Sequence, residues 1–452
     1  MCAVVGIYGN DNAAGLASAA LFAMQHRGHE ATGISSGGGS EDKKIHTVKK
    51  MGYVKDVFHK GTLNKLPGNT AIGHNRYSTA GSDSVSDAQP IHAKYKLGEI
   101  SIVHNGNLVN KQEVRQKLID EGSIFQTDMD TENLIHLIAK STKDRLRDRI
   151  TEGLKELKGA YNFMIQSRSK LFVVRDQHGI RPLSLGKLKS GGWIVASETC
   201  AFDLVEAQFV RDVKPGEMLI FSEDFEEPES MMLFEGAEFR PCAFEYIYFA
   251  RPDSVIDGKS VYKARENMGK ELAKNDIGSS IKADMVIPVP DSGVPAALGY
   301  SQGSGLPFEL GIIRNHYVGR TFIEPTQEMR NLKVKMKLNP MRSLIEGKSL
   351  VVIDDSIVRG TTSKRIVQML IEAGASEVHF RVASPMIQHP CFYGIDTPTK
   401  EELINARMSK EEVREYIGAD SLEYLSIDNL KDSLGRERNY SLVSFDGDYF
   451  VV

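Results

Sequence analysis

The stretch Ser349-Leu-Val-Val-Ile-Asp-Asp-Ser-Ile-Val-Arg-Gly-Thr-Thr362 decides the fold of the second half of this chain. It opens with an apolar, β-branched run at residues 350–353, which predicts a short buried strand. Two adjacent carboxylates, Asp354 and Asp355, end that run. Such carboxylates can bind sugar hydroxyls or Mg²⁺, although two acidic residues can also simply terminate a strand.

A loop of small residues follows the acidic pair and leads into a predicted helix. Thr361 and Thr362 are candidate N-caps, and Gly374 is a candidate C-cap. Between them, apolar residues recur at helical spacing at Ile366, Met369, Leu370 and Ala373. Backbone amides in such a loop, together with the helix N-terminus, can hold a phosphate group.

The whole string resembles the phosphoribosylpyrophosphate (PRPP) motif of type I phosphoribosyltransferases. The resemblance implies an α/β domain in which the acidic pair holds the ribose hydroxyls and residues 356–362 wrap the 5-phosphate. The PRPP contacts that it implies here are Asp354, Asp355, Ser356, Arg359, Gly360, Thr361 and Thr362.

A second strand-to-helix turn lies earlier in the chain. A predicted strand over 284–289 leads into Pro290-Asp-Ser-Gly-Val-Pro-Ala-Ala297, which is either an ordinary turn or, by resemblance, the pyrophosphate loop of the same family. The resemblance adds Asp291, Ser292 and Gly293 to the PRPP contacts. The Mg²⁺ ligands that it implies are Ser292, Asp354 and Asp355.

Residues 313–341 form a basic segment without a firm period. A structureless stretch of this length is typical of a lid or a disordered loop, and this one resembles the family's flexible loop that closes over PRPP. Four cations suit a polyanionic ligand or, more simply, form a solvated charged face: Arg330, Lys333, Lys335 and Lys337.

Composition narrows the class of protein. A chain of 452 residues is too long for one typical core, so two or three domains are expected. The net charge of −4, from 56 basic and 60 acidic residues, argues against a broadly cationic nucleic-acid binder. No apolar run approaches membrane-spanning length, and no signal-peptide pattern opens the chain. Four widely spaced cysteines without a C-x-x-C pair favour a reduced, cytoplasmic compartment.

Cys2 is the first candidate catalytic residue. Removal of Met1 would leave the α-amine of Cys2 beside its own thiol, where the amine can act as the base for the nucleophile. The two groups titrate near pH ~8 and ~8.5. The simpler interpretation is a small buried residue at the start of a strand over 3–8.

Three polar clusters follow Cys2 in the first half of the chain. They are Gln25-His-Arg-Gly-His-Glu30 after a helical run, Gly73-His-Asn-Arg-Tyr-Ser-Thr-Ala-Gly81 after a strand over 70–72, and Val103-His-Asn-Gly-Asn107 after a strand over 99–102. Each is expected just past the end of an element, where loops commonly carry sites. With Cys2 they resemble the glutaminase domain of class II, N-terminal-nucleophile amidotransferases, which is an α+β domain built as an αββα sandwich.

This second resemblance implies a role for each residue. Cys2 is the nucleophile, and Asn105 with the amide of Gly106 forms the oxyanion hole, which stabilises charge on the amide oxygen. The residues implied to bind glutamine are Arg76 at its α-carboxylate, Asp130 at its α-amine and Gly28 through its backbone. Taken singly, the two charged residues are expected on the surface and the asparagine in a turn.

The chain is therefore expected to contain two domains with a boundary near residue 235. A glutaminase domain is predicted over 2–234, and a phosphoribosyltransferase domain with a C-terminal helical segment over 235–452. Residues 242–254, whose aromatic side chains suit packing between domains, resemble a signature segment of amidophosphoribosyltransferases.

That family implies one reaction from two half-sites. Cys2 releases ammonia from glutamine, and the ammonia displaces pyrophosphate from C1 of PRPP to give 5-phosphoribosylamine, the committing step of purine nucleotide synthesis. The family also implies a homotetramer or dimer and feedback inhibition by purine nucleotides. The alternatives are a class II amidotransferase with another acceptor, against which the PRPP motif argues, and a non-catalytic PRPP-sensing regulator, against which the complete glutaminase half argues.

The cysteines mark a departure from part of this family. Some members hold a [4Fe–4S] cluster on four cysteines, two of which correspond to Cys242 and Cys391. At the other two positions this chain has Ser441 and Ser444. Because serine is a far poorer ligand for this soft cluster than a thiolate, we expect no iron–sulfur cluster here.

Overall fold

The computed structural model describes residues 1–39, 44–77, 84–276, 281–315, 338–395, 397 and 399–451. Within these ranges, no helix is both long and apolar enough to cross a membrane.

Two antiparallel sheets form the first half of the chain. The strands are β1 (Ala3–Tyr8), β2 (Ala31–Gly37), β3 (His46–Met51), β4 (Thr70–Arg76), β5 (Ile91–Tyr95), β6 (Gly98–Leu108), β7 (Gly159–Gln166), β8 (Lys170–Arg175), β9 (Ser184–Leu188), β10 (Trp193–Ala196), β11 (Ala207–Asp212), β12 (Glu217–Ser222) and β13 (Glu229–Met232). The first sheet has the order β11-β9-β10-β1-β4-β2-β3, and the second has the order β13-β12-β8-β7-β6-β5.

Helices cover the outer faces of these sheets. They are α1 (Ala13–Ala23), α2 (Val54–Val57), α3 (Lys60–Leu63), α4 (Lys111–Asp120), α5 (Thr131–Lys140), α6 (Leu146–Leu154) and α7 (Cys200–Leu204), with 3₁₀ turns at Gln25–Arg27 and Val85–Asp87. α1 packs on the first sheet and α4 to α6 pack on the second, while a further apolar cluster fills the space between the sheets. The predicted αββα sandwich is confirmed.

β1 shows how the sequence dictates this arrangement. Its residues are apolar because both faces are covered: Val5 and Ile7 contact the cluster under α1, and Val4 contacts the cluster between the sheets. Burying each such side chain contributes about 1.5–3 kcal/mol. This well-packed central strand holds Cys2 at its start.

A parallel sheet forms the centre of the second half. The strands are β14 (Val255–Ile256), β15 (Lys259–Ser260), β16 (Met285–Pro288), β17 (Ile312–Arg314), β18 (Leu338–Pro340), β19 (Ser349–Asp354), β20 (Glu377–Val382) and β21 (Ser421–Tyr424). The parallel order is β16-β19-β20-β21, and β14 with β15 and β17 with β18 form two small antiparallel pairs.

Helices cover both faces of the parallel sheet, as the α/β prediction requires. They are α8 (Val261–Lys274), α9 (Val294–Ser304), α10 (Arg342–Ile345), α11 (Thr361–Glu372), α12 (Lys410–Ile417), α13 (Ile427–Leu434) and α14 (Val443–Asp446), with a π-helical turn at Glu245–Phe249 and 3₁₀ turns at Lys400–Glu402 and Ile404–Ala406. α8 and α9 pack on one face, and α11 and α12 pack on the other. The type I phosphoribosyltransferase fold is confirmed.

The cap of α11 differs from the prediction. The N-cap is Gly360, with φ +75°, and Thr361 is already the first helical residue. The N-cap position has a left-handed backbone, which glycine adopts more readily than threonine. At the other end, Ala373 is the C-cap, and Gly374 follows it with φ +97°.

The structure extends two predicted strands, β4 and β6, and adds elements near the chain end that were not predicted from the sequence. β4 continues through Arg76, and β6 continues through Leu108, so residues 73–76 and 103–107 of two polar clusters lie inside strands and not in loops after them. The predicted helical stretches near 401–406 and 410–417 correspond to 3₁₀ turns and to α12. They do not complete the chain, because β21, α13 and α14 follow.

The two halves share a core. Met1, Ala160 and Ile180 of the first half belong to the same apolar cluster as α8, α9 and α13. The predicted boundary near residue 235 falls between the end of β13 and the π-helical turn. The predicted lid at 313–341 is described only at its two ends, where β17 pairs with β18, and its four cations lie outside the described residues.

Candidate active site

A small cleft at the end of the first sheet brings together most of the predicted glutaminase residues. The pairing of β1 with β4 puts Ala3 opposite Asn75, so Cys2 and Arg76 lie next to each other at the end of the two strands. The cleft is lined by Cys2, Arg76, Tyr77, Gln89, His104, Gly106, Asn107, Met129 and Asp130.

The Cys2 thiol lies in this cleft and is almost fully buried. Its Sγ is 3.6 Å from the carbonyl oxygen of Tyr77. Burial raises the pKa of the thiol, against the opposing influence of the nearby chain N-terminus and Arg76. The thiol is therefore mainly protonated near neutral pH and needs a base. With Met1 in place the Cys2 nitrogen is a peptide amide, so the predicted amine base requires removal of Met1.

Asn105 and Gly106 lie in the middle of β6. Asn105 is fully buried, and neither of its side-chain polar atoms has a hydrogen-bond partner among the described residues. An unpaired buried polar group costs about 1–3 kcal/mol, and such a cost points to a role in binding or catalysis. Gly106 has φ +148°, and an added Cβ would lie 1.9 Å from the oxygen of Ala160 on β7. No other residue fits at this position.

Asp130 precedes α5 and faces the same cleft. One carboxylate oxygen lies 3.2 Å from Nδ1 of His104, and the other accepts a hydrogen bond from the amide of Leu108 at 2.9 Å. Burial alone would raise the pKa of Asp130, but His104 and the Leu108 amide together hold it below its ordinary value. Asp130 is therefore a fixed anion, suited to an ammonium group.

Arg76 and Gly28 are in contact. Arg76 is 1% exposed at the end of β4. Gly28 follows the 3₁₀ turn after α1, and an added Cβ would lie 2.7 Å from the backbone carbonyl of Arg76. A side chain at Gly28 would displace the arginine. The structure thus explains the glycine by its packing on a predicted ligand-binding residue, and the predicted substrate contact stays a prediction.

Gln89 and His104 are site residues that sequence reasoning missed. The Gln89 side chain accepts a hydrogen bond from the His104 amide at 2.6 Å and donates to Thr131 at 3.2 Å. The His104 ring stacks on Phe163, with centroids 4.4 Å apart. Together they hold Asp130. His104 stands inside a quoted cluster and could have been named, whereas nothing around Gln89 signals its role.

Arg27 anchors the backbone of Cys2 through a buried ionic network. Its Nε donates to the Cys2 carbonyl at 3.1 Å. Its other nitrogens contact Glu198 at 2.5 Å and Glu245 at 2.8 and 3.1 Å, and all three side chains are at most 1% exposed. Arg181 adds a 3.2 Å contact to Glu245. Sequence spacing could not reveal this network, because its members are up to 218 residues apart.

The second set of predicted residues meets at the carboxyl edge of the parallel sheet. β16 and β19 are parallel neighbours, so the loops that follow them lie side by side. The amide of Val289 donates to the carbonyl of Ile353 at 2.8 Å, and a Cβ on Gly293 would lie 2.5 Å from that same oxygen. The loop over 290–293 is thereby held beside Asp354 and Asp355.

The acidic pair is buried and joined to Ser292. Burial and the neighbouring carboxylate of Asp355 raise the pKa of Asp354 well above its ordinary range. Burial also raises the pKa of Asp355, although hydrogen bonds from Ser292 and Ser356 and the nearby Arg265 oppose this. Two buried carboxylates and a hydroxyl form a set of hard oxygen ligands, which fits Mg²⁺.

The remaining predicted PRPP residues lie in the two loops that follow β16 and β19 and at the start of α11. Thr361 opens α11, so its amide is one of the unpaired donors at the helix N-terminus. Arg359 is half-exposed and contacts Glu402 at 3.2 Å, and Asp291 contacts Arg314 of β17 at 2.5 Å. Both side chains lie at the surface, where a ligand can reach them.

The four positions of the iron–sulfur comparison lie close to the boundary between the halves. Cys242 forms a parallel bridge with Ser441, and burial together with the nearby Cys391 raises the pKa of the Cys242 thiol. The backbone oxygen of Ser444 accepts hydrogen bonds from two amides of residues 388–389. The hydroxyl of Ser441 is buried and has no partner among the described residues. Two thiols and two hydroxyls do not fit a cluster that needs four thiolates.

Comparison with known proteins finds one domain family in each half of the chain. Residues 74–203 match the family model of a glutamine amidotransferase domain, and residues 258–389 match that of a phosphoribosyl transferase domain. The chain is 49% identical to amidophosphoribosyltransferase 1, chloroplastic, of Arabidopsis thaliana, over all of this chain and 78% of that protein. It is 47% identical to amidophosphoribosyltransferase of Bacillus subtilis, over 99% of this chain and 94% of that protein.

The solved structures agree with these matches. The glutamine PRPP amidotransferase of B. subtilis, complexed with ADP and GMP, superposes with a TM-score of 0.92 and 47% identity, over all of this chain and 98% of that one. A structure of the allosteric regulatory enzyme of purine biosynthesis superposes with a TM-score of 0.93. Because these relatives match 99% or more of this chain over 78% and 94% of their own lengths, and both domains are present, the chain belongs to the amidophosphoribosyltransferase family and is an enzyme of the transferase kind.

Proposed function

We propose that this chain hydrolyses glutamine at Cys2 and transfers the ammonia to C1 of PRPP, giving 5-phosphoribosylamine, pyrophosphate and glutamate. The observation that carries the proposal is the presence of two preformed sites in one chain. One is the buried cleft around Cys2 and Asp130, and the other is the contact between Ser292 and Asp355.

The first half-reaction uses the cleft. Arg76 and Asp130 hold the α-carboxylate and α-ammonium of glutamine, which positions the side-chain amide at Cys2. The thiol gives its proton to the α-amine of Cys2, and the sulfur attacks the amide carbon. Asn105 and the Gly106 amide donate to the oxygen that becomes negative. The C–N bond breaks, ammonia leaves with a proton from the amine, and water hydrolyses the thioester to glutamate.

The second half-reaction takes place at the edge of the parallel sheet. The loops over 290–293 and 356–362 position the pyrophosphate and the 5-phosphate, and the acidic pair orients the ribose. Ammonia attacks C1 while the bond to pyrophosphate breaks, and the nitrogen then loses a proton. Water would compete at C1 and would protonate ammonia, so the reaction needs a closed, dry site.

Mg²⁺ is the proposed cofactor. Asp354, Asp355 and Ser292 would hold it, because two buried carboxylates beside a hydroxyl offer the hard oxygen ligands that Mg²⁺ prefers. When bound, Mg²⁺ supplies charge neutralisation to the leaving pyrophosphate. We also propose that no iron–sulfur cluster is held at Cys242 and Cys391, since the other two ligand positions are serines.

Regulation and assembly are part of the proposal by relationship. A B. subtilis relative was solved with ADP and GMP, which supports purine nucleotides as feedback inhibitors of this chain as well. We propose a homo-oligomer, either a tetramer or a dimer, on the basis of family membership. The four dispersed cysteines, all free thiols in the structure, support the cytoplasm as the compartment.

One assay tests the proposed reaction. Purified protein with PRPP and Mg²⁺ is expected to release pyrophosphate when either glutamine or ammonium is added, and to release glutamate with glutamine. An amidotransferase that uses another acceptor would hydrolyse glutamine without nitrogen-dependent release of pyrophosphate. A non-catalytic regulator would bind PRPP and release nothing.

A further inference from the structure

Residues 390–395, here called the strap, connect the second half of the chain to the glutaminase strand β6. The side chain of Asn107 donates to the carbonyl of Phe392 at 2.8 Å. Nε of the fully buried Arg181 donates to the carbonyl of Tyr393 at 2.9 Å. Both contacts hold the strap backbone against the first half.

Gly394 makes the closest approach. It has φ +96°, and an added Cβ would lie 2.9 Å from both Cα and the carbonyl carbon of Gly106 and 3.1 Å from its oxygen. Gly106 is also paired with β7, and a Cβ added to Gly106 would lie 1.9 Å from the Ala160 oxygen of that strand. The backbone of Gly106 is therefore fixed between β7 and the strap.

The strap is itself held firmly by the C-terminal residues. The hydroxyl of Tyr449 donates to the carbonyl of Pro390 at 2.6 Å. The buried hydroxyl of Tyr393 accepts from the Val451 amide at 2.9 Å and donates to the Val451 carbonyl at 3.2 Å. A support anchored on both sides can resist movement of the residue that it touches.

We propose that Gly394 is a positioning residue for glutamine hydrolysis: its missing side chain lets the strap hold the Gly106 amide in line with the oxygen of the bound glutamine amide. The inference rests on the proposed function, because it takes the Gly106 amide as an oxyanion donor. Such donors act at 2.7–3.1 Å, so a displacement of a few tenths of an ångström weakens them.

The test is the variant Gly394→Ala, with Gly418→Ala as its matched control. Both glycines have positive φ, +96° and +78°, so both variants carry similar backbone strain. A Cβ on Gly418, at the end of α12, meets no atom within 4 Å, whereas a Cβ on Gly394 meets Gly106. The comparison separates the contact from the strain.

Gly394→Ala is expected to lower the glutamine-dependent kcat by about 10- to 100-fold. This decrease is no larger than the roughly 100- to 1000-fold decrease that follows removal of a whole oxyanion donor. KM for glutamine should change by less than about twofold, because the groups at Arg76 and Asp130 are untouched. The ammonia-dependent rate should match that of the wild type, which also reports that the variant is folded. Gly418→Ala should leave all three quantities unchanged.

Two Cys2 reagents distinguish a positioning role from a general defect. The γ-aldehyde analogue of glutamine forms a thiol adduct with an oxyanion, so its affinity should fall by about the same factor as kcat. Alkylation by iodoacetamide needs no oxyanion, so its rate should not change. Tyr449→Phe, which releases the strap from its far side, should lower the glutamine-dependent kcat alone, by a smaller factor.

An unchanged glutamine-dependent kcat in Gly394→Ala would overturn the inference, as would an equal loss with ammonia or an unchanged affinity for the aldehyde. If Gly394→Ala does not fold, an unchanged kcat in Tyr449→Phe overturns it. The variant Cys2→Ala distinguishes failure of the inference about Gly394 from failure of the proposed function. Should Cys2→Ala keep glutamine-dependent synthesis, the proposed function itself fails.

Discussion

Individual residues at both sites lower the free energy of unfolding of the ligand-free protein. Asn105 is buried with unpaired polar atoms, and Asp354 is buried next to a second carboxylate. Each arrangement lowers the stability of the ligand-free protein, because a buried polar group or charge loses its hydration. Both costs are offset when a ligand binds, since glutamine would accept from Asn105 and a cation would neutralise the pair.

Asp354→Asn is therefore expected to raise the stability of the ligand-free protein while abolishing synthesis with either nitrogen source. The pKa of Asp354 is raised in the folded state, so the folded protein loses stability as the pH rises above the unfolded pKa of ~3.9. The variant removes this penalty, and it keeps an oxygen that can accept from the Asp355 amide. Thermal unfolding should show a gain of a few degrees at pH 8 that shrinks toward pH 4.

The exposed Asp224 provides the control. Its carboxylate contacts Lys170 at 3.1 Å, which holds its pKa below the ordinary value, so Asp224→Asn should not raise the melting temperature. Mg²⁺ with PRPP should stabilise the wild type and not Asp354→Asn. A lower melting temperature for Asp354→Asn at pH 8 would contradict the assignment of Asp354 as a buried carboxylate whose ionisation destabilises the folded protein.

At the scale of the element, the sequence predicted those strands and helices whose positions are set by a local pattern of apolar residues. The strand, acidic pair and helix around residue 354 are visible because apolar runs and periodicity are local signals. The ends of β4 and β6 were missed because Arg76 and Asn105 are polar, and their burial depends on contacts that only the folded chain provides. Functional residues are where the local pattern and the fold disagree.

The last strand was missed for a different reason. β21 is Ser-Leu-Glu-Tyr, in which two buried residues alternate with two half-buried ones. Four alternating residues are too few to distinguish an edge strand from a loop. Its pairing with β20 supplies the missing information, since parallel partners are distant in sequence.

Ser441 and Ser444, the latter in α14, occupy two of the four ligand positions of the iron–sulfur cluster found in some relatives, so no cluster is expected here. Metal analysis of anaerobically purified protein should find no stoichiometric iron, and the protein should be colourless near ~400 nm, because such clusters need four thiolates. The double variant Ser441→Cys/Ser444→Cys restores four thiols and is expected to take up iron during reconstitution. About four irons per wild-type chain would show that this prediction is wrong.

At the scale of the whole molecule, the two halves are built as one unit. The nucleophile's backbone is held by Arg27, and Arg27 is held by Glu245 at the start of the second half. The strap, which also belongs to the second half, contacts β6 of the first half. Met1 lies in the core of the second half. These contacts link residues that are hundreds of positions apart, so no reading of local sequence could predict them.

The central claim is that two separate half-sites in one chain perform one reaction, and the variant Cys2→Ala tests it most directly. Initial rates of pyrophosphate release from PRPP are measured with glutamine and then with ammonium. The variant should lose the glutamine-dependent rate, because no thiol remains to attack the amide, and should keep the wild-type rate with ammonium, because Asp354 and Asp355 are untouched. Glutamine-dependent release that survives in Cys2→Ala, or an equal loss with both nitrogen sources, would contradict the account.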